Sequence, residues 1–108
     1  LLKERVFFYF AQLCRIPRQS GNEKAVSDFI LNWALDQGLK AKQDAVNNVF
    51  IRKAASAGYE AAPPVMLQAH MDMVCEKNEG VNHDFGAGLL EFPFPVGVRG
   101  DLFRQKVL

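Results

Sequence analysis

Apolar positions recur along this chain with two distinct periods, and the change of period divides it into elements. Leu2, Val6, Phe10 and Leu13 lie four, four and three residues apart, as on one face of a helix. Phe7, Phe8 and Tyr9 widen that surface, so a helix over about 2–14 is expected to be covered on more than one side, its aromatic group in the core or, where the part that covers it is absent, looking like a partner-binding patch. Pro17 disfavours helical geometry at Ile16, and Arg18-Gln19-Ser20-Gly21-Asn22 reads as a polar connection. Ser20 followed three residues later by Glu23 has the form of a capping box. Beyond it Ala25, Val26, Phe29, Ile30, Trp33 and Ala34 keep the helical period, while Lys24, Asp28, Asn32 and Asp36 fall on the opposite side. Gly38 tolerates positive φ and is a natural terminator. Ser20 is thus expected to cap this second helix, with Trp33 on its buried face.

The period then shortens. Residues 39–43 and 49–53 read as two strands around Asn47-Asn48, where asparagine suits a tight turn. Ala54 to Pro64 is a loop of small residues, Gly and Pro. The run Val65-Met66-Leu67-Gln68-Ala69-His70-Met71-Asp72-Met73-Val74 predicts a central, largely buried strand, with Val65, Leu67 and Ala69 against the helices. A polar loop over 75–80 follows, then His83-Asp84-Phe85. In 89–96, Pro93 and Pro95 demote a strand-like stretch to an edge or bend, and 97–103 has the look of a hairpin turn. Helix, helix, strand, strand, loop, strand predicts an α/β fold with helices packed on a mixed sheet. There is no internal repeat.

Composition narrows the picture. The 108 residues, 49% hydrophobic with nine Phe and one Trp, suffice for one small domain with a modest core and exclude a disordered chain. A formal charge of +1 creates no field that would draw nucleic acid or anionic lipid, so neither is expected as a partner. Cys14 and Cys75 form no CxxC or disulfide-framework spacing, so reduced thiols in a cytoplasmic protein are the simplest reading. The apolar stretches are too short to cross a membrane, and Leu-Leu-Lys-Glu-Arg at the start lacks the form of a secretory signal.

The candidate chemistry lies at the end of the 65–74 run. Strand side chains alternate with a period of two, so His70 and Asp72 are expected on the same face. An imidazole beside a carboxylate suits zinc, which takes a neutral imidazole that a second group orients. A zinc site needs three or four ligands. Cys75, Glu76, Glu79, His83 and Asp84 follow on the loop, but none stands at a ligand spacing of two or three intervening residues from His70. Taken alone, His-x-Asp is a weak motif, and a surface-facing His and Asp at a strand end is the simpler reading. His83 reads as a structural residue of its turn, and Cys75 as a packed thiol.

The wider context is more specific. Ile16-Pro17-Arg18-Gln19-Ser20-Gly21-Asn22-Glu23-Lys24-Ala25-Val26-Ser27-Asp28-Phe29 resembles the opening of the aminoacyl-histidine (Xaa-His, β-Ala-His) dipeptidases, dinuclear zinc exopeptidases of the M20 clan. The resemblance runs on through Gln43-Asp44, Asn48-Val49, Arg52-Lys53 and Gly58-Tyr59-Glu60. It peaks at Gln68-Ala69-His70-Met71-Asp72-Met73-Val74-Cys75-Glu76-Lys77-Asn78 and adds His83-Asp84-Phe85. It covers about residues 5–104 in collinear order. It implies that His70 is a zinc ligand and Asp72 an active-site residue that orients it. It also implies two zinc ions in the complete enzyme, a Glu as general base, hydrolysis of Xaa-His dipeptides by a metal-activated water, and a homodimeric full-length protein.

The chain also departs from that pattern. The family's Gly-Thr-Thr-Leu-Gly-Ala-Asp-Asn-Gly stretch, with its metal-bridging Asp, and the Glu-Glu pair that follows are not found. Gln105-Lys106-Val107-Leu108 diverges where that region would begin. Residues 1–108 are therefore expected to form the N-terminal portion of a single catalytic domain, without the lid and dimerisation domain, and to be inactive alone. The alternative is a non-catalytic remnant with a structural or partner-binding role.

Overall fold

A computed structural model describes residues 2–88. The edge strand expected over 89–96 and the hairpin over 97–103 lie outside the described residues. The chain divides into two compact units, one made of residues 1–17 with 75–108 and the other of residues 18–74.

In the first unit, α1 spans Leu2–Cys14. It ends as Pro17 requires, with Arg15 N–H and Ile16 N–H donating back to Gln12 O (3.2 Å) and Leu13 O (3.1 Å). Ala11 and Cys14 are buried. The aromatic face departs from expectation: Val6, Phe7, Phe8 and Phe10 are exposed, and Phe8 packs edge-on against Tyr9 at 5.4 Å between ring centroids. Helical periodicity marks a surface that favours burial; what covers it is decided by other elements. Gly88 is buried, with φ +141°, and a Cβ there would stand 3.1 Å from Cys14 O.

In the second unit, α2 spans Lys24–Asp36, followed by β1 at Lys40–Gln43 and β2 at Val49–Arg52. Gly38 takes φ +72°. Its N–H reaches Leu35 O (2.9 Å) and the Leu39 N–H reaches Ala34 O (3.0 Å), the paired bonds of a Schellman ending. The start differs from the expected capping box. Glu23 stands at the N-cap position without a side-chain cap bond, and its carboxylate instead accepts from Gly21 N–H at 2.6 Å. Ser20 lies too far before the helix to serve its first turn, and its hydroxyl is engaged elsewhere. Val26, Ser27 and Ala34 are fully buried, and Trp33 is half-buried.

The strands pair antiparallel with Lys40 opposite Arg52, Ala41 opposite Ile51, Lys42 opposite Phe50 and Gln43 opposite Val49. The pleat puts Ala41, Gln43, Val49 and Ile51 on one face. On the other face Lys42 Nζ sits 5.8 Å from the Phe50 ring centroid. Helix α2 packs against both strands. A polar cluster ties them together. The buried Ser27 hydroxyl donates to Asn47 O (2.6 Å) and accepts from Gln43 Nε2 (2.6 Å), which also reaches Asp28 Oδ1 (2.9 Å). Lys24 pairs with Asp28 one turn along the helix. The connection 44–48 is built around Asp44, whose Oδ1 accepts from Val46 N–H (3.0 Å) and Asn48 N–H (2.8 Å). Asn47 takes the left-handed φ of +68°. Both Asp28 and Asp44 are held below the usual carboxyl range, Asp28 chiefly by Lys24 and Asp44 chiefly by the Asn48 side chain.

The stretch 65–74 corrects the expectation of a central strand. It has no ladder, and Val65, Met66 and Leu67 are 86%, 78% and 93% exposed. A strand exists through its hydrogen-bonded neighbour, and the two-stranded sheet here ends with β1 and β2. A single parallel bridge joins Gln19 to Met73. The architecture is α/β as expected, with two helices and a small antiparallel sheet among the described residues.

Candidate functional site

His70 and Asp72 come together as expected, though on an irregular segment. His70 Nδ1 lies 2.9 Å from the Asp72 main-chain O and 3.1 Å from its Oδ1. Both partners are oxygens that only accept, so Nδ1 carries the proton. In the neutral ring Nε2 is then the lone-pair nitrogen. The His70 side chain is 76% exposed and that of Asp72 34%.

The second oxygen of Asp72 is also occupied. Ser20 Oγ donates to Oδ2 at 2.5 Å across 52 residues of sequence. That bond foremost, with a smaller contribution from His70, holds the Asp72 carboxyl below its usual range against the opposing effect of desolvation. The two segments are fastened at the backbone as well. Met73 N–H donates to Arg18 O at 2.9 Å, and the buried Arg18 side chain donates from Nη1 to Met71 O at 3.0 Å. Among the described residues Arg18 Nε is buried without a partner. Sequence reasoning missed Arg18 and Ser20 as site residues. No local signal reveals a contact made 52 or 53 positions away, and the Ser20-x-x-Glu23 spacing offered a competing local explanation.

The remaining candidates fall in the other unit. His83 Nε2 donates to Gly88 O at 3.0 Å, and its ring meets Phe85 edge-on at 4.7 Å. Asp84 Oδ1 accepts from Gly86 N–H at 2.9 Å. Glu76 and Glu79 are exposed and Cys75 is half-buried. Cys14 and Cys75 form no disulfide. Among the described residues no three His, Cys, Asp or Glu side chains gather closely enough to hold a metal ion. Nε2 of His70 is a nitrogen that could bind a metal ion, and the described residues do not close a site around it. No helix among them is long and apolar enough to cross a membrane.

No protein-family profile matches the chain. It is 46% identical over 76 residues to the cytosol non-specific dipeptidase of Escherichia coli (strain K12), an alignment covering 70% of this chain and 16% of that protein. Its fold superposes on the crystal structure of aminoacylhistidine dipeptidase from Vibrio alginolyticus with a TM-score of 0.71 and 42% identity, covering 77% of this chain and 17% of that one. Over the aligned stretch, the chain is a homologue of these dipeptidases. It spans about a sixth of their length. The α/β fold agrees with the dipeptidase fold over the shared part.

Proposed function

We propose that these residues are the N-terminal part of a zinc-dependent dipeptidase of the M20 type, acting in the cytoplasm on Xaa-His dipeptides as a homodimer. The observation that carries the reading is the His70–Asp72 pair, with Nδ1 bonded to Asp72 and Nε2 left as the lone-pair nitrogen of an exposed side chain. In this reading His70 holds one zinc ion through Nε2. Asp72 keeps the proton on Nδ1 and raises the basicity of the ring. Bound zinc would polarise the scissile carbonyl and acidify a water. The further ligands and the general base come from a longer polypeptide, which also packs on the apolar surface of α1 and residues 65–67. The 108-residue chain alone is therefore expected not to hydrolyse Xaa-His dipeptides even with added zinc.

The test has two parts. Zinc added to the isolated chain should shift the His70 imidazole resonances in NMR, weakly and reversibly, and His70→Ala should remove that response. In a longer polypeptide carrying this segment and the downstream motifs, His70→Ala should abolish most dipeptidase turnover. Zinc binding undiminished by His70→Ala, or robust chelator-sensitive turnover by the isolated chain, would overturn the assignment. The exposed aromatic face of α1 favours a second reading, a non-catalytic remnant that binds a partner. Reading the gene beyond Leu108 in all three frames separates them: an Asp-Asn-Gly motif followed by Glu-Glu belongs to an interrupted enzyme.

A further inference from the structure

We propose that Ser20 is a positioning residue for His70, acting through Asp72: its hydroxyl fixes the carboxylate so that the imidazole keeps its proton on Nδ1 and presents Nε2 outward. This deepens the metal-site reading and rests on it for its purpose, but its geometry is independent of any metal. The two carboxylate oxygens of Asp72 are divided between two partners, Oδ2 taking the Ser20 hydroxyl at 2.5 Å and Oδ1 facing His70 Nδ1 at 3.1 Å, while the Asp72 main-chain oxygen stands 2.9 Å from the same nitrogen and supplies the share of the hold on Nδ1 that does not depend on Ser20. A carboxylate held only by an exposed neighbouring imidazole is able to rotate about its χ angles. A second bond to its other oxygen removes that freedom, which is how outer partners orient ligands at metal sites.

The hydroxyl is itself placed by long-range contacts. Arg18 clasps the opposing segment from two sides, through Nη1 to Met71 O and through its own carbonyl to Met73 N–H. The bridge from Gln19 to Met73 sets the register that brings Ser20 alongside Asp72. Ser20 is exposed and makes no cap bond to α2, so this placement is not a by-product of helix initiation. Its bond to Asp72 spans 52 residues.

The experiment uses the full 108-residue chain with Ser20→Thr and Ser20→Val, two β-branched side chains of nearly the same shape, of which only the first keeps a hydroxyl. The imidazole tautomer of His70 is read by long-range nitrogen–proton NMR along a pH series, at the alkaline end where its resonances no longer move. Wild type and Ser20→Thr should hold His70 predominantly as the Nδ1–H form. Ser20→Val, and Ser20→Ala as a second variant, should move part of the population toward the Nε2–H form that free imidazole side chains prefer, the remainder being held by the Asp72 main-chain oxygen. Zinc affinity at His70 should fall with the same variants by about tenfold, the low end for losing an outer partner of a ligand. Identical tautomer populations in Ser20→Thr and Ser20→Val would overturn the proposal. Should the tautomer follow the hydroxyl while zinc perturbs His70 in none of the proteins, Ser20 keeps its positioning role and the zinc reading fails.

Discussion

Residues 24–52 and residues 65–74 are both rich in apolar side chains, yet they are organised in opposite ways. In the first, each element leans on its sequence neighbours. Helix α2 stops at Gly38 through bonds to Ala34 and Leu35, and the hairpin turns on Asp44 and Asn47. A side chain from the helix, Ser27, then closes the unit onto the turn. In the second, nothing local imposes a conformation. The segment is held at its end by Arg18, Gln19 and Ser20, while Val65 and Leu67 remain in solvent. Apolar content alone therefore does not produce burial; an element is buried when a partner surface is close enough in the fold to receive it. The more polar end of 65–74 is the better held, and it carries the candidate chemistry.

This contrast is open to direct attack. The largest effect should come from Val26, which is fully buried on α2. Val26→Ala should destabilise the unit by about 2–3 kcal/mol, from lost transfer energy and the cavity left behind, measured by urea denaturation. A cost below about 0.5 kcal/mol, the range of an ordinary surface change, would mean that α2 is not anchored as described.

Ser27→Ala should follow at about 1–2 kcal/mol, because it strips a partner from Asn47 O and Gln43 Nε2 while replacing one small side chain with another. Slow amide exchange in the hairpin should be lost in this variant before it is lost in α1. An unchanged exchange pattern would show that the polar cluster is not what joins helix to hairpin.

A smaller effect should appear in acid. The carboxyl groups of Asp28 and Asp44 are lowered from 3.8 by their partners. A folded-state value below the unfolded one adds stability above the unfolded value, and this is lost as pH falls through the folded value. The hairpin should therefore keep its stability from neutral pH down to about 4 and loosen below that. Chemical-shift titration of the two carboxyls gives their midpoints, and a midpoint above 3.8 for either would reverse the sign.

The smallest effect should be that of Leu67→Ser. Leu67 is 93% exposed, so its loss should change the stability of the isolated chain by no more than about 0.5 kcal/mol, against the larger cost at Val26. A loss above about 2 kcal/mol, as for a core residue, would restore the buried strand that the apolar run predicts.

Elements whose causes lie within a few residues are written into the chain locally. The helical periods over 2–14 and 24–36, the Gly38 ending and the pair of strands around Asn47 are all legible because turn geometry and side-chain period act between near neighbours. The meeting of His70 and Asp72 belongs to the same class, since two residues of separation keep them close. Long-range packing is what brings Ser20 to Asp72 rather than to α2, buries Arg18 against the Met71 carbonyl, makes Ser27 a core residue and leaves the 65–67 run open. Each of these depends on which surfaces meet across tens of residues. An apolar pattern records only that a surface favours a partner, and a hydroxyl records only that it will bond; the identity of the partner is a property of the folded chain.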